Sequence, residues 1–503
     1  MANESANGPC VKCYLAFALI IVVVLVATGV WNPFPNMWDW ANQSKSLSRP
    51  GPAWQQRLGG TPQSVTIAGD AVIIERRTTV EARSLSTGVQ LWERKADWAA
   101  VAGDHQDPVV AVGKLLVNGY EVLDPRSGAV RRRDDLAVAV WTYRNALLDA
   151  SCFAPDDCTL TAWPPRGSTP LWTVDLPGIA TTFFADNPEV LGTRRLTTSK
   201  VAQDAGGPES LPALIGFSID SRIYVVDTAN GRLVQEVRPE RRERVVPVGG
   251  RVLHIRSLPK DGTCYFTVEA RDPANGQRVW QQAGLNLGTA DRGGCMQRHD
   301  PEGGLNVLVG TTPDLRDAVV SAYDGRRLLV GEPGEEVVSV DDRYAIVRAA
   351  DKRSVSLHAL GTPGARWTRS VDPDSAALLT QYAAVVTEQK PDRIVAVDLL
   401  TGQELANVRS SAKVLAVGPG GMIIGEGREI AYIRFGGSTG AENGAGPDGG
   451  SAPGGDGPGG DRRGDDRPDH GEDAGPGEGV PTCGGPKNEQ CVPPGRDKGD
   501  KGG

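Results

Sequence analysis

The chain has 503 residues, with 54 Lys and Arg against 62 Asp and Glu, for a formal net charge of −8. Without a surplus of basic residues, the composition argues against nucleic-acid binding. A Gly-rich phosphate loop ending in Lys-Ser/Thr, a Gly-x-Ser-x-Gly sequence and a His-Glu-x-x-His sequence are all absent, so these signatures do not predict an enzyme.

The first informative segment is an uncharged apolar run over residues 14–30. As a helix rising about 1.5 Å per residue, a run of this length spans roughly 26 Å, which is enough to cross a membrane once. We therefore predict a transmembrane helix at residues 14–31, with residues 1–13 in the cytoplasm and residues 32–51 as a linker outside it. The alternative is a cleaved secretory signal with its small-residue site at Ala27-Thr-Gly29. Both interpretations predict that the rest of the chain is exported from the cytoplasm.

From about residue 50 to residue 435, short β-rich runs recur around one phrase, in which Asp is followed after two or three residues by Gly. Asp at the end of a strand can accept hydrogen bonds from the downstream backbone, and Gly can take the positive φ of a tight hairpin. We interpret these residues as turn formers, with metal ligation as the less favoured alternative. The four clearest pairs are Asp124 with Gly128, Asp227 with Gly231, Asp272 with Gly276, and Asp398 with Gly402.

The spacing of the turn glycines predicts the architecture. Degenerate copies add Gly88, Gly167, Gly325 and Gly364, and the successive steps from Gly88 to Gly402 are 40, 39, 64, 45, 49, 39 and 38 residues. A period near 40 is that of a four-stranded propeller blade. The 64-residue step contains an additional polar loop, Thr197–Pro212, which we expect to be displayed to a partner.

The predicted fold is an all-β propeller at residues 52–435. Three strands follow the last turn, and the segment Ala53–Leu58 resembles the last strand of a unit, so it is expected to close the ring. Eight blades are favoured, within a range of seven to nine. A tryptophan follows several turn glycines and is expected to cover its blade against the next one: Trp92, Trp172, Trp280 and Trp367.

The Asp-x-x-Thr/Asn-Gly-x-x-x-Trp phrase resembles the repeats of pyrroloquinoline-quinone-type propellers, a group that includes a propeller lipoprotein of outer-membrane assembly. The quinone enzymes of that superfamily carry an adjacent Cys-Cys pair and a calcium-bound carboxylate site. This sequence has no adjacent cysteines, and none of its residues matches a catalytic position. We therefore expect no catalytic residue, no metal site, and neither pyrroloquinoline quinone nor calcium.

Six of the eight cysteines follow the apolar run, and an even number beyond an export segment is typical of structural disulfides. Nearest-neighbour pairing predicts three bonds: Cys152–Cys158, Cys264–Cys295 and Cys483–Cys491.

The last 68 residues, 436–503, include 23 Gly, 7 basic residues and 13 acidic residues. With almost no large apolar side chains, this tail cannot bury enough surface to offset its chain entropy, so the sequence predicts disorder.

Two functional hypotheses remain open. The first is a non-enzymatic, single-pass membrane protein of the cell envelope, whose extracytoplasmic propeller binds an envelope protein, a polymer or another ligand. The second is an oxidoreductase with a quinone or metal in the propeller channel, because a channel site can draw on residues far apart in sequence. The partner and the biological process are not predicted by the sequence.

Overall fold

The structure is a computed structural model that describes residues 46–115, 117–154, 157–176, 190–291 and 295–436. Within these ranges the chain is all β, with no helical segment, and so none of these residues belongs to a helix long and apolar enough to cross a membrane. The predicted transmembrane helix at residues 14–31 and the predicted tail at residues 436–503 lie outside the described residues, except for Gly436.

The described strands form nine antiparallel sheets, seven with four strands and two with three. We number the sheets as blades in chain order.

The strands of the nine blades are: blade 1, β2 (Ser64–Ala68), β3 (Ala71–Glu75), β4 (Val80–Ser84) and β5 (Gln90–Arg94); blade 2, β6 (Trp98–Ala102), β7 (Val109–Gly113), β8 (Tyr120–Leu123) and β9 (Val130–Asp134); blade 3, β10 (Ala137–Thr142), β11 (Leu147–Ala154), β12 (Asp157–Trp163) and β13 (Trp172–Leu176); blade 4, β14 (Leu214–Ile219), β15 (Arg222–Asp227) and β16 (Arg232–Val237); blade 5, β17 (Glu243–Val248), β18 (Arg251–Lys260), β19 (Thr263–Arg271) and β20 (Arg278–Ala283); blade 6, β21 (Val307–Thr311), β22 (Asp317–Ser321) and β23 (Arg327–Val330); blade 7, β24 (Glu336–Val340), β25 (Tyr344–Arg348), β26 (Ser354–Ala359) and β27 (Ala365–Ser370); blade 8, β28 (Ala376–Leu379), β29 (Ala384–Gln389), β30 (Asp392–Val397) and β31 (Glu404–Arg409); and blade 9, β32 (Lys413–Gly418), β33 (Gly421–Glu426), β34 (Glu429–Arg434) and β1 (Trp54–Arg57).

The ring is closed by the N-terminal strand. β1 pairs antiparallel with β34, with Trp54 opposite Tyr432, so the two ends of the propeller share blade 9. This pairing covers an edge that would otherwise be left open at the seam.

The favoured count of eight blades is wrong by one. All eight turn motifs, including the degenerate ones, belong to their own blades, and the closing sheet is a ninth. Blade 9 has no Asp-to-Gly hairpin because its third and fourth strands come from opposite ends of the propeller sequence. No turn motif in the sequence therefore predicts this blade.

The core consists of layers between blades. Eight apolar clusters of buried residues each contain residues of two or three neighbouring blades, and together they span all nine joints of the ring. Middle strands such as β3 are therefore buried along most of their length, whereas an outer strand such as β5 is largely exposed. Each blade buries its faces against its neighbours, which lets the ring exceed the size of a single core.

Five joints share one contact, in which an indole ring of one blade lies on the turn glycine of the next. A Cβ at these glycines would lie 2.7–2.8 Å from the ring or the Cβ of the tryptophan, so the turn must be glycine there. The five pairs are Trp54 on Gly88, Trp92 on Gly128, Trp172 on Gly231, Trp280 on Gly325, and Trp367 on Gly402. The predicted tryptophans thus do cover the next blade, and Trp54 joins them at the seam. We call these contacts indole joints.

Candidate ligand site at the mouth of the central channel

The first strand of each blade faces the axis of the ring. Backbones of first strands in neighbouring blades approach each other closely, as β2 and β32, β6 and β10, and β24 and β28 do. Among the residues that the structure describes, the first strands of blades 4 and 6 are represented by one bridge each, Leu191 with Gly216 and Gly303 with Leu308. The inner strands therefore surround a central channel, as in other propellers.

The segment 190–212 runs through this channel and across it. Arg194 forms a parallel bridge with Glu302 of blade 6, and Val201 forms another with Val414 of blade 9. Farther on, the amide of Val417 donates to the carbonyl of Ala205 at 2.6 Å. The segment thus pairs with the free inner edges of strands on different sides of the ring.

The interior position of this segment differs from the expectation that Thr197–Pro212 forms a displayed contact loop. Val201 and Ala205 are each only 1% exposed and belong to the apolar cluster between blades 8 and 9. The polar residues, Gly and Pro of this segment predict a surface loop. In the structure, the inner strand edges supply the backbone hydrogen bonds that such a segment needs inside a protein.

A cavity of about 420 Å³ opens where the segment reaches one end of the channel. Its floor includes residues 206–208, and its walls are the ends of first strands together with the hairpins that follow them in blades 2, 3, 8 and 9. This volume lies within the usual range for small-molecule sites. We call it the channel-mouth cavity; its polar side chains are Asp104, His105, Gln106, Arg144, Gln381 and Tyr382.

Local hydrogen bonds hold the walls of the channel-mouth cavity. Asp104 accepts the amides of Gln106 and Asp107 at 2.8 Å each, which fixes the blade 2 hairpin. The Gln381 side chain donates to the carbonyl of Gly206 at 2.8 Å, and the Arg144 amide donates to the carbonyl of Glu209 at 2.6 Å. The floor is therefore tied to the walls on both sides.

The channel-mouth cavity offers several hydrogen-bond donors, among them the guanidinium of Arg144 and the phenol of Tyr382. The Nε of Arg144 is buried and has no hydrogen-bond partner among the described residues. Burial raises the pKa of the Tyr382 hydroxyl, which the nearby Arg144 opposes and Asp104 reinforces, so the phenol stays protonated as a donor at neutral pH. A guanidinium, a phenol and side-chain amides suit a ligand group that accepts hydrogen bonds, such as a carboxylate.

The turn residues singled out from the sequence lie in the hairpins between third and fourth strands, and none of them lines this cavity. Asp124 accepts the Ser127 amide at 3.0 Å, and a hydrogen bond from Arg131 leads the interactions that hold the Asp124 pKa well below its usual range. Gly128 has φ of +68°. The same pattern of side-chain oxygen and positive-φ glycine occurs at Asp227 with Gly231, Asp272 with Gly276, and Asp398 with Gly402.

These aspartates are not brought together. In the part of the chain that the structure describes, no three His, Cys, Asp or Glu residues are arranged to hold a metal ion.

Two of the three cysteine pairs from the sequence are disulfides in the structure. Cys152–Cys158 crosses the hairpin of β11 and β12, and Cys264–Cys295 ties the start of β19 to the connection before blade 6. The pair Cys483–Cys491 lies outside the described residues.

Sequence reasoning missed the residues of the channel-mouth cavity. Arg144, Gln381 and Gly206 lie in three separate parts of the chain, and no local motif links them. The one available signal was the 64-residue step between turn glycines, which marked an extra segment without showing that it enters the channel.

No protein-family model matches the sequence, and no curated protein matches it. Solved structures similar to this chain do include propellers of the pyrroloquinoline-quinone type that the repeat phrase predicted.

Three of these solved structures illustrate the similarity. BamB from Moraxella catarrhalis is 16% identical, with a TM-score of 0.32, over 71% of this chain and 95% of its own. A quinohemoprotein alcohol dehydrogenase from Pseudomonas putida HK5 is 12% identical, with a TM-score of 0.34, over 81% and 79%. A europium-containing methanol dehydrogenase is 12% identical, with a TM-score of 0.31, over 59% and 73%. The fold assignment rests on the strand order itself, and none of these activities is transferred to this chain.

Proposed function

We propose that this protein is a non-enzymatic binding scaffold of the cell envelope, held in the membrane by residues 14–31 and presenting its propeller outside the cytoplasm. The observation that carries the proposal is the channel-mouth cavity, which several blades and the channel segment build together. Its donor-rich lining suits a partner or ligand group that accepts hydrogen bonds, and a carboxylate is the group that best matches Arg144.

The second hypothesis places a quinone or a metal in the channel. Its support is the shared propeller architecture. Against it, the channel segment passes through the channel with apolar side chains such as Val201 packed on the inner strands, and this apolar interior does not fit a charged quinone. The channel-mouth cavity, by contrast, offers hydrogen-bond donors to any carboxylate-bearing ligand, so the two hypotheses must be separated by experiment. We therefore derive no redox step. Reconstitution with pyrroloquinoline quinone and calcium separates the two hypotheses, because stoichiometric uptake with dye reduction would contradict the scaffold.

The binding face is tested by site-specific photo-cross-linking in intact cells. A photoreactive residue at Gln106, which lines the channel-mouth cavity, is compared with one at Leu315, which is 82% exposed in a hairpin at the opposite ends of the strands. We expect adducts from position 106 that are absent from position 315. Arg144→Ala should remove them, because it deletes the guanidinium from the cavity.

Identical adducts at the two positions, or adducts at 106 that persist in Arg144→Ala, would contradict a binding site at the channel mouth. The membrane tether is tested separately by deleting residues 14–31. The intact chain should sediment with membranes and resist extraction by alkaline carbonate, and the deletion should not.

A further inference from the structure

A cavity of about 380 Å³ lies on blade 2, at the end of the ring opposite the channel-mouth cavity. Three segments form it: the connection after β5, the hairpin between β7 and β8, and the end of β9. Asp97 joins the first two segments, because its carboxylate accepts the Leu115 amide at 3.0 Å and its own amide donates to the Gly113 carbonyl at 2.9 Å. We call this space the basic cavity.

The charged lining of the basic cavity leaves two positive charges uncompensated. Four basic side chains and two acidic side chains line it: Arg94, Lys95, Lys114 and Arg133, with Glu121 and Asp135. The two arginines pair with the two acids, since Arg94 Nη1 lies 2.7 Å from Glu121 Oε2 and Arg133 Nε lies 2.7 Å from Asp135 Oδ1. Within the described part of the chain, neither Lys95 nor Lys114 has an ion pair or a side-chain hydrogen bond. Two exposed ammonium groups are therefore available to an anion such as a phosphate.

Three large apolar side chains are exposed on the segments that form the basic cavity. Leu115 is 55% exposed and Val117 is 59% exposed, both beside Lys114 in the hairpin, and Leu136 after β9 is 54% exposed. A single exposed leucine is ordinary in a soluble protein. Apolar side chains next to unpaired ammonium groups, however, match the surface of a bilayer, in which anionic headgroups cover an apolar layer.

The N-terminal arm, residues 46–53, joins the ring at the same end as the basic cavity. Arg49 exchanges two backbone hydrogen bonds with Arg409, at 3.0 and 2.8 Å, and Arg409 is the last residue of β31. The basic cavity likewise lies where the fourth strands β5 and β9 end. The 14 residues 32–45 between the arm and the predicted transmembrane helix can span at most about 50 Å. The chain therefore leads from this end of the ring toward the predicted membrane anchor.

We propose that the basic cavity binds the headgroup of an anionic phospholipid, with Leu115 and Val117 in the apolar layer of the same bilayer. Lys95 and Lys114 contact the phosphate. The orientation rests on the membrane tether of the proposed function, whereas the headgroup chemistry depends only on the cavity. This arrangement turns the channel-mouth cavity away from the bilayer, where an envelope partner can reach it.

Headgroup binding is tested with the full chain in a neutral detergent and with glycerophosphoglycerol, the headgroup of phosphatidylglycerol without its acyl chains. Saturation-transfer NMR should show saturable binding. Lys95→Gln combined with Lys114→Gln should weaken this binding at least tenfold, because both ammonium groups are lost. The matched control is Lys390→Gln combined with Lys413→Gln, which removes the same charge from the same end of the ring and should change the affinity less than twofold. No saturable binding, or equal losses in the two double variants, would overturn the proposal.

Contact with the bilayer is tested by photo-cross-linking of the full chain in vesicles of phosphatidylglycerol and phosphatidylcholine. A photoreactive residue at Leu115 is compared with one at Val89, which is 61% exposed in the hairpin before β5, at the opposite end of the ring. Mass spectrometry should find phospholipid adducts at position 115 and none at position 89. Equal adducts at both positions would overturn the proposal. Headgroup binding without adducts at position 115 would assign the cavity to a soluble phosphate compound, which also overturns it.

Failure of the tether is recognised separately, because a chain without a membrane anchor is released by alkaline carbonate. In that case the same vesicles are added to the soluble chain, and co-sedimentation replaces reconstitution. The double substitution at Lys95 and Lys114 should then lower the sedimenting fraction at least threefold, and the control pair should not. An unchanged fraction would overturn the phospholipid site independently of the tether.

Discussion

Two neighbouring joints of the ring solve the same packing problem with different chemistry. Between blades 1 and 2, the Trp92 ring lies on Gly128 and donates to the Pro125 carbonyl at 2.8 Å. Between blades 2 and 3, Arg132 pairs with Val122 just before a bulge, as Trp92 pairs with Ala82 in blade 1, so an arginine stands in place of the indole. Arg132 belongs to a buried polar network. The first joint depends on shape and apolar burial. The second depends on hydrogen bonds, on charge and on the stacking of Arg132 over the Trp163 ring at 4.2 Å.

The polar joint is centred on Asp149, which is 1% exposed. Its carboxylate accepts from the Tyr120 hydroxyl at 2.6 Å and from the Trp163 ring nitrogen at 2.7 Å. Arg132 donates to the same Tyr120 hydroxyl at 2.7 Å. Burial raises the pKa of Asp149 to about 6 despite these hydrogen bonds. From this comparison we expect the stability of an indole joint to be independent of pH, whereas the stability of the polar joint should change with pH.

The largest expected effect comes from removing an indole. Trp172 is 8% exposed and donates to the Thr228 carbonyl at 2.6 Å. Trp172→Ala should lower the free energy of unfolding by about 4 kcal/mol, because a large buried ring is lost and a cavity remains. Trp172→Phe keeps most of the apolar contact and should cost only about 1–2 kcal/mol. Chemical denaturation measures both, and equal losses would contradict the dominant role of the ring.

Removing the centre of the polar joint should have a slightly smaller effect. At pH 5, Asp149→Ala should cost about 3 kcal/mol, because the buried Tyr120 hydroxyl and Trp163 N–H lose their shared acceptor. Asp149→Asn retains a side-chain carbonyl and should cost about 1 kcal/mol. If the alanine variant is as stable as the asparagine variant, the network does not stabilise this joint.

The pH dependence sharpens the contrast between the joints. The Asp149 pKa is raised from 3.8 to about 6 in the folded state, so the native protein binds more protons than the unfolded chain between these values. Stability from this group is therefore present below about pH 4 and is lost as pH rises through about 6, by about 3 kcal/mol. The stability difference between wild type and Asp149→Asn, measured at pH 4 and pH 7, should change by this amount in favour of the variant.

Glu243 in blade 5 provides a control of opposite sign. Burial raises its pKa, but hydrogen bonds from His254 and from the Glu240 amide, together with the charge of Arg256, lower it to about 2. Its stabilisation is present above about pH 4.5 and is lost as pH falls toward 2. Glu243→Gln should therefore flatten the stability profile below about pH 4.5, the opposite side of the profile from Asp149.

The smallest expected effect concerns the turn glycines. Gly128 and Gly276 have nearly equal φ, +68° and +69°, but only Gly128 has a tryptophan over it. Gly276→Ala should cost about 1 kcal/mol from backbone strain alone. Gly128→Ala should cost about 2–3 kcal/mol, because its Cβ would lie 2.8 Å from the Trp92 ring. Equal losses in thermal or chemical unfolding would show that the indole contact adds nothing at this turn.

The sequence by itself determined the repeating unit of this protein. The Asp-to-Gly turns, the period near 40 residues and the tryptophans that follow the glycines depend on contacts close together in the chain, so they leave a local pattern. A local pattern also predicted the closing strand at Ala53–Leu58. This segment, with Trp54, has the residue pattern of the last strand of a blade, but no Asp-to-Gly turn precedes it.

Only the tertiary structure decided the number of blades, the course of segment 190–212 and the channel-mouth cavity. Each depends on residues that meet from distant parts of the chain, such as Trp54 with Tyr432, Val201 with Val414, and Arg144 with the hairpin of Gln381. A local sequence pattern cannot specify such contacts between distant residues. The free inner strand edges that pair with the channel segment, for example, exist only once the ring has closed.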